Sequence, residues 1–198
     1  MKEDISNNYD VCNAHKLKIM QLIIYTLFYP MMALLSLIIT VFALLAVNWW
    51  APLLADDQAN LPRWLKWFQP FDSSLDEGWK GGYLDPSWGA TPFKRYLARV
   101  YWLYRNPAYG FDYWLFGLPF EAAEWRVIRY IETPTLVLFI AIGNGFNVYY
   151  HGRLGMLKLG WKAWNYWQGY GWRETPWGPV WRVPLCFTLS PFKRRTSA

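Results

Sequence analysis

Few residues of the chain are suited to redox, metal or nucleophilic chemistry. The 198 residues include two cysteines and two histidines. Cys12 and Cys186 lie at opposite ends of the sequence, so they form neither a Cys-x-x-Cys pair nor the framework of a disulfide-rich fold. His15 lies next to an apolar segment, and His151 has no second imidazole near it in the sequence. We therefore expect no metal site and no cofactor.

Catalytic motifs are missing as well. The sequence contains no Gly-x-Ser-x-Gly motif, and segment 78–82, Gly-Trp-Lys-Gly-Gly, lacks the spacing of a phosphate-binding loop. Four acidic residues are the remaining candidates for a glycoside-cleaving carboxylate pair: Asp72, Asp76, Glu77 and Asp85. An enzyme would require one of these to meet a second carboxylate in a cleft. We expect a solvated loop instead, and no enzymatic activity.

Charge is scarce, whereas aromatic residues are abundant. Charged residues make up 17% of the chain and aromatic residues 21%, with 15 tryptophans. A disordered chain has few aromatic residues and much charge, so this composition excludes disorder. The length allows one domain, or one domain with an anchor.

A run of 37 uncharged residues, from 19 to 55, is rich in Leu, Ile and Ala. Because about 20 apolar helical residues cross the hydrocarbon layer of a bilayer, this run predicts one transmembrane helix. Aromatic and basic residues typical of membrane interfaces flank or end the run: Tyr25, Tyr29, Trp49, Trp50, Lys16 and Lys18. A buried core helix is the alternative. A cleaved signal peptide fits poorly, since its apolar region spans only ~7–15 residues.

Pro30 lies inside this run and removes one backbone donor. We expect a kink there or an interfacial lead-in over 19–29, with a re-entrant hairpin as a further alternative. The flanking basic residues favour a cytoplasmic N-terminus only slightly. The surplus of six positive charges lies entirely within residues 56–198, which favours placing that part against anionic cytoplasmic lipid.

The chain divides into four predicted segments: a polar tail over 1–18, the transmembrane anchor over 19–55, a juxtamembrane helix and loop over 56–92, and an aromatic-rich basic domain over 93–198. Within the last segment, hydrophobic periodicity predicts helices over 93–105 and 121–132 and strands over 136–142, 157–164 and 181–190. A bulge at 143–145 is expected, and a second membrane helix over 133–150 is the alternative. The predicted fold is a membrane-anchored α+β protein with amphipathic helices and a three-stranded antiparallel meander, with Pro184 marking an edge strand.

The helix over 93–105 has two contrasting faces. Its predicted apolar face carries Phe93, Tyr96, Leu97, Val100, Tyr101 and Tyr104, and its basic face carries Lys94, Arg95, Arg99 and Arg105. This pattern is typical of a helix that lies in a membrane interface. A surface helix packed on the core of its own domain is the more ordinary alternative, and nucleic acid is an unlikely partner.

Aromatic residues also form two candidate binding regions. In the turn over 106–113, Tyr109, Phe111 and Tyr113 either form a recognition loop or fold back over the neighbouring helix. Strand alternation predicts that Trp161 and Trp181 face inward. Four other tryptophans, Trp164, Trp167, Trp172 and Trp177, are candidates for an exposed patch that stacks on sugars, lipid headgroups or cations.

Several segments together resemble a family of small proteins of unknown function encoded by tailed bacteriophages and prophages. They are LPRWLKWFQPFDSSLDEGWKGG (61–82), YWLYRNPAYGFDYWLFG (101–117), LGWKAW (159–164) and FTLSPFKRR (187–195). The resemblance covers roughly residues 30–195. It implies a phage gene expressed in a bacterium, with the host envelope as its location, and it supplies no catalytic residues.

These observations predict a non-enzymatic, single-pass protein of the host bacterial inner membrane. Its partners would be the lipid bilayer and an envelope protein or glycan, and its role superinfection exclusion or assistance to lysis. The alternative is a virion- or envelope-associated module that binds a glycan through the tryptophan patch. The sequence leaves membrane topology and oligomeric state open.

Overall fold

The uncharged run forms one continuous helix in the computed structural model, which describes residues 2–167, 174–175, 178–179 and 181–195. Helix α1 spans Lys2–Phe42 and continues through Pro30. It is followed by a π-helical segment (Ala43–Val47), α2 (Asn48–Trp50) and a 3-10 helix (Ala51–Leu54). The predicted apolar helix is therefore confirmed. The alternative of a hairpin at Pro30 is wrong, because the helix does not break there.

The chain forms two units. Unit 1 comprises residues 1–32, 118–170 and 185–198, and unit 2 comprises residues 33–117 and 171–184.

Unit 1 contains a five-stranded antiparallel sheet in the order β2-β3-β4-β5-β9. The short strand β1 (Leu118–Pro119) and a 3-10 turn (Ala122–Glu124) come first. The sheet strands are β2 (Arg126–Thr133), β3 (Leu136–Ile142), β4 (Phe146–Gly152), β5 (Gly155–Trp161) and β9 (Leu185–Ser190). Helix α6 (Ala163–Trp167) follows β5. The α+β class is confirmed, and the sheet has two strands more than predicted.

The helix predicted over 121–132 is wrong, because most of that segment forms β2. The sequence of β2, RVIRYIET, combines β-branched and aromatic residues, which favour a strand despite the acidic residues near its start. The second membrane helix considered over 133–150 is also wrong, since β3 and β4 form an antiparallel hairpin there. Residues 143–145 make its turn, and the register shift lies in β2, between Val127 and Arg129.

Alternating residues of β3 form the centre of the sheet's buried face. Val137, Phe139 and Ala141 are each at most 2% exposed. Trp161 is fully buried at the end of β5, as strand alternation predicted. The edge position predicted for the last strand is confirmed by β9, and Pro184 lies just before that strand.

Unit 2 is built mainly from helices and ordered loops. After the apolar segment come a 3-10 turn (Arg63–Leu65), α3 (Glu77–Lys80), a 3-10 turn (Pro86–Gly89), α4 (Pro92–Arg105) and α5 (Tyr109–Trp114). Short strands β6 (Glu174–Thr175) and β7 (Gly178–Pro179) pair with each other, and β8 spans Arg182–Val183. The core consists of Val47, Ala51, Ala59, Leu61, Leu65, Leu75, Trp102 and Leu103. The end of the apolar segment thus packs into the core of this unit.

A buried glutamine organises the loop that follows the apolar segment. The Gln69 amide donates hydrogen bonds to Asn60 Oδ1 at 3.0 Å and to the Ser73 carbonyl at 2.9 Å, and its oxygen accepts one from the Leu61 amide at 2.6 Å. Gln69 is fully buried, so these bonds replace those it would make with water.

Helix α4 begins one residue before the predicted helix and ends at the predicted residue. The Thr91 side chain accepts a hydrogen bond from the Lys94 amide, and Pro92 occupies the first turn. The helix ends at Arg105, before Asn106 and a proline that disfavours helical geometry. Its buried face differs from the predicted one, because the fully buried side chains are Ala98, Val100, Trp102 and Leu103, whereas Phe93, Tyr101 and Tyr104 are exposed. The helix therefore turns Trp102 and Leu103 toward the core, and not Tyr101 and Tyr104 as predicted.

Candidate functional site

The apolar segment Lys16–Leu54 is long and apolar enough to span a membrane. The mean hydropathy of its most apolar 18-residue window is 2.5, and only 17% of that window is buried. Core helices of soluble proteins and signal sequences also satisfy this criterion of length and composition. The apolar side chains of this helix differ in exposure from those of a core helix in a soluble protein. Many large apolar residues are exposed, and Leu27, Leu34, Ile38 and Leu45 are each more than half exposed.

Two tyrosines of α4 bind the backbone of the apolar segment within unit 2. The Tyr104 hydroxyl donates to the Leu44 carbonyl at 2.6 Å, and the Tyr96 hydroxyl donates to the Trp49 carbonyl at 2.6 Å. The first of these carbonyls lies in the π-helical segment, where the normal i to i+4 ladder is interrupted. The tyrosines thus supply donors at the part of the helix where the regular backbone pattern changes.

The predicted aromatic flanks differ in exposure. Trp49 is 52% exposed and Trp50 41% exposed. The Trp49 ring meets Tyr104 edge-on at 5.6 Å, and Trp50 stacks on Trp64 at 6.4 Å. These tryptophans form an exposed aromatic cluster at the end of the apolar segment.

At the other flank, within unit 1, the tyrosines are packed. The Tyr29 hydroxyl donates to the Cys186 carbonyl at 2.9 Å, and the Tyr25 ring lies 5.7 Å from that of Trp161. Lys18 forms a 2.7 Å ion pair with Glu124, whereas Lys16 is exposed.

The four basic residues of α4 have different environments. Lys94 and Arg95 are exposed. The Arg105 guanidinium lies 4.7 Å from the centre of the Tyr83 ring. Arg99 is half-buried, and its Nε lies 2.7 Å from Asp76 Oδ1. Arg99 therefore has a structural partner in addition to any role at a membrane surface.

The predicted aromatic turn is largely helical, since Tyr109–Trp114 form α5. Tyr113 is 1% exposed and stacks face to face on Phe71, with ring centres 3.9 Å apart. Tyr109 and Phe111 are half-buried, with ring contacts to Phe71 and Trp67. A Cβ at Gly110 would clash with the carbonyls of Lys66 and Gln69, so α5 and the preceding loop pack in close backbone contact. These residues contribute to packing within unit 2.

Of the four tryptophans of the predicted patch, Trp164 is the one whose side chain is described. It is half-buried, and its ring lies within 5.1–5.6 Å of the rings of Tyr130, Phe139 and Tyr149. The Trp164 amide also donates to Asn147 Oδ1 at 3.0 Å. Trp172, Trp177 and the side chain of Trp167 lie outside the described residues. Trp181, predicted to face inward, is 46% exposed, because it precedes β8 and does not belong to the sheet.

The acidic residues of the loop have different environments. Asp76 is 6% exposed and binds Lys80 at 3.1 Å as well as Arg99. Hydrogen bonds from the Ser87 side chain and from the Ser87 amide lower the pKa of the Asp85 carboxyl. Glu77 begins α3. Within the described residues, no three His, Cys, Asp or Glu side chains lie close enough to hold a metal ion.

Two ionisable residues in unusual environments were not found from the sequence. Burial raises the pKa of Asp112 in α5 to about 7, opposed by a hydrogen bond from Ser36 of the apolar helix. Its Oδ1 is buried without a hydrogen-bond partner. Burial also lowers the pKa of Lys158 in β5 to about 8, and Lys158 lies 5.2 Å from the centre of the Tyr149 ring. Neither residue belongs to a motif, so no local signal marks it.

The fold and the site define an α+β protein with a long, exposed apolar helix that ends in an aromatic and basic cluster. Over residues 20–197 the chain matches a family of unknown function, DUF7338, and it belongs to that family. No curated protein and no solved structure matches the chain. All the segments that carry the resemblance to phage-encoded proteins lie within the matched range.

Proposed function

We propose that the protein is a non-enzymatic protein of the bacterial inner membrane that acts by binding a component of the envelope. The exposure of large apolar side chains along Lys16–Leu54 carries this proposal. Exposed apolar surface of this extent is unfavourable in water and favourable in lipid. The phage origin implied by the sequence resemblance would suit a role in superinfection exclusion or lysis.

The contacts of the apolar helix within each unit bear on the mode of attachment. A helix that crosses the bilayer needs about 20 residues in the hydrocarbon layer. Contacts with later parts of the chain occur at shorter intervals, at Lys18 and Tyr29 in unit 1 and at Ser36 and Leu44 in unit 2. Each unit thus binds its own stretch of the helix, and a helix that lies along the membrane with one side in lipid is one arrangement to test. The single crossing predicted from the sequence is the competing arrangement.

Fractionation of cells that express the full chain tests the membrane location. We expect the protein to pellet with membranes, to remain there in high salt and at alkaline pH, and to be released by detergent. Recovery in the soluble fraction without detergent would mean that the apolar helix is covered by protein, and the proposed function would be wrong.

The positions of the two termini distinguish the modes of attachment. Epitope tags at the N- and C-termini would be tested for protease access in spheroplasts and in inverted vesicles. A helix along the surface keeps both tags on the same side of the membrane, whereas a single crossing places them on opposite sides.

A further inference from the structure

An open cleft of about 260 Å³ lies in unit 2 at the end of the apolar segment. One wall is the 3-10 helix Ala51–Leu54, and the other is the first half of α4. The lining residues are Pro52, Leu53, Pro92, Arg95, Tyr96 and Arg99. The hydrogen bond from Tyr96 to the Trp49 carbonyl joins the two walls and fixes the width of the cleft at that point.

The charge of the cleft is positive. Arg95 is exposed, and its guanidinium has no ion pair among the described residues. The Asp76 carboxylate that binds Arg99 also binds Lys80, so one negative charge is shared by two cations. The Asp76 contact of Arg99 is made through Nε at 2.7 Å, and Arg99 also lines the cleft. Guanidinium groups bind phosphate oxygens through paired, charge-assisted hydrogen bonds.

Apolar surface borders this positive charge. Leu53, in the cleft wall, is 70% exposed, and Phe93, next to Pro92, is 69% exposed. Trp50 and Leu54 are also more than 40% exposed in the same segment of chain. A ligand that fits these features carries a negative group joined directly to an apolar chain.

We propose that this cleft binds the phosphodiester group of an anionic phospholipid, with Arg95 and Arg99 on the phosphate oxygens and Leu53 against the acyl chain. The volume lies below the ~300–1,000 Å³ of pockets that enclose a whole drug-sized ligand, which suits a site that takes one headgroup and leaves the tails outside. The inference rests on the proposed membrane location and adds the class of ligand that the membrane supplies.

The test uses the full-length protein in a neutral detergent. Binding of short-chain phosphatidylglycerol, short-chain phosphatidylcholine and inorganic phosphate would be measured separately by native mass spectrometry and calorimetry. We expect phosphatidylglycerol to bind at least about tenfold more tightly than either of the others, since only it combines net negative charge with an acyl chain. If inorganic phosphate bound as tightly as phosphatidylglycerol, the cleft would be a site for free phosphate. If phosphatidylcholine bound as tightly as phosphatidylglycerol, the net charge of the lipid would not matter for binding. Either result would overturn the proposal.

Matched variants locate the binding in the cleft. Arg95→Gln should weaken phosphatidylglycerol binding by about tenfold, whereas Lys94→Gln, which removes the same charge from the neighbouring exposed position, should weaken it by less than about twofold. Arg99→Lys keeps a cation for Asp76 but removes the guanidinium, and Arg105→Lys is its control on the same helix. An equal loss in test and control variants would mean general electrostatic attraction, and the cleft would not be the site.

The two proposals can fail separately. If the protein is soluble without detergent, the membrane location is wrong whatever the lipid titration gives. If the protein remains in the membrane but shows no preference for phosphatidylglycerol, the cleft proposal alone is wrong.

Discussion

Single residues of the chain show how burial changes chemical behaviour. Gln69 is fully buried with three hydrogen bonds, whereas both polar side-chain atoms of Asn48 and the Oδ1 of Asp112 are buried without a partner among the described residues. An unpaired buried polar group costs about 1–3 kcal/mol. Asp112 adds a titration to this cost, because burial deprives its ionised carboxylate of solvation by water.

Asp112 therefore predicts a pH-dependent stability. Burial raises its pKa from 3.8 in the unfolded chain to about 7 in the folded protein, so the folded state holds the proton more tightly between these values. The contribution of Asp112 to stability is then fully present below pH ~4 and is lost as the pH rises to and through ~7, by at most about 4 kcal/mol. Asp112→Asn removes the titration, and its melting temperature should exceed that of the wild type by roughly 5 °C at pH 8 and by little at pH 4.5.

Thermal unfolding in detergent at the two pH values measures this difference. Asp57→Asn, which changes the same charge at an exposed position, is the control. A gain at pH 8 that is equal for both variants would show that net charge, and not the burial of Asp112, is responsible.

At the scale of elements, α4 supports the apolar segment through its tyrosines as well as through its core face. Ala98, Val100, Trp102 and Leu103 are buried. Tyr96 and Tyr104 lie at the edge of this face and donate to carbonyls of the apolar segment. Tyrosine suits such a border, because its ring packs while its hydroxyl reaches a polar partner.

Removing these hydroxyls should weaken unit 2. Tyr96→Phe and Tyr104→Phe each lose one hydrogen bond to a backbone carbonyl, and we expect each to lower the free energy of unfolding by about 1 kcal/mol. Tyr101→Phe is the matched control, because Tyr101 is 40% exposed on the same helix and makes no side-chain hydrogen bond among the described residues. Chemical unfolding in detergent compares the three. A cost at Tyr101 equal to the others would mean that the carbonyl contacts contribute nothing specific.

At the scale of the whole molecule, the proposed membrane location depends on the apolar helix. Leu34 and Ile38 are 58% and 54% exposed and lie one helical turn apart. In lipid, an arginine at the centre of a membrane helix costs about 2.5–3.5 kcal/mol, whereas surface substitutions in water change stability by about 0.5 kcal/mol or less. The double variant Leu34→Arg/Ile38→Arg should therefore lose most of its membrane association.

The fraction of protein in the membrane pellet measures this loss. Leu34→Ala/Ile38→Ala is the control that shortens the same side chains without adding charge, and it should remain in the pellet. Unchanged pelleting of the arginine variant would indicate that this face of the helix is not in contact with lipid.

The helices and strands that were predicted correctly from the sequence are those with a strong signal in their own short segment of chain. The apolar run, the capped helix α4 and the alternating strands β3, β5 and β9 all follow from short segments of sequence. Strand β2 was missed because Glu121 and Glu124, just before it, resemble the acidic first turn of a helix, while its pairing with β3 decides the structure. The buried face of α4 was misplaced because periodicity alone does not show that Trp102 and Leu103 exclude the tyrosines from the core.

The candidate site was predicted in part. The sequence identified the basic residues of α4, but the pairing of Arg99 with Asp76 joins residues far apart in the chain. The same holds for Asp112, whose environment is set by Ser36. Such contacts depend on the tertiary fold, and a single sequence contains no local trace of them.

The continuity of α1 through Pro30 has a consequence for how deep the helix lies. A proline has no amide hydrogen, so it cannot donate to the carbonyl of Thr26, four residues earlier. Both residues are exposed, and an unbonded carbonyl is costly in hydrocarbon, where water is scarce. Where the helix lies near the headgroups, water can bond this oxygen, whereas at greater depth a nearby hydroxyl or a local 3-10 bond would have to do so.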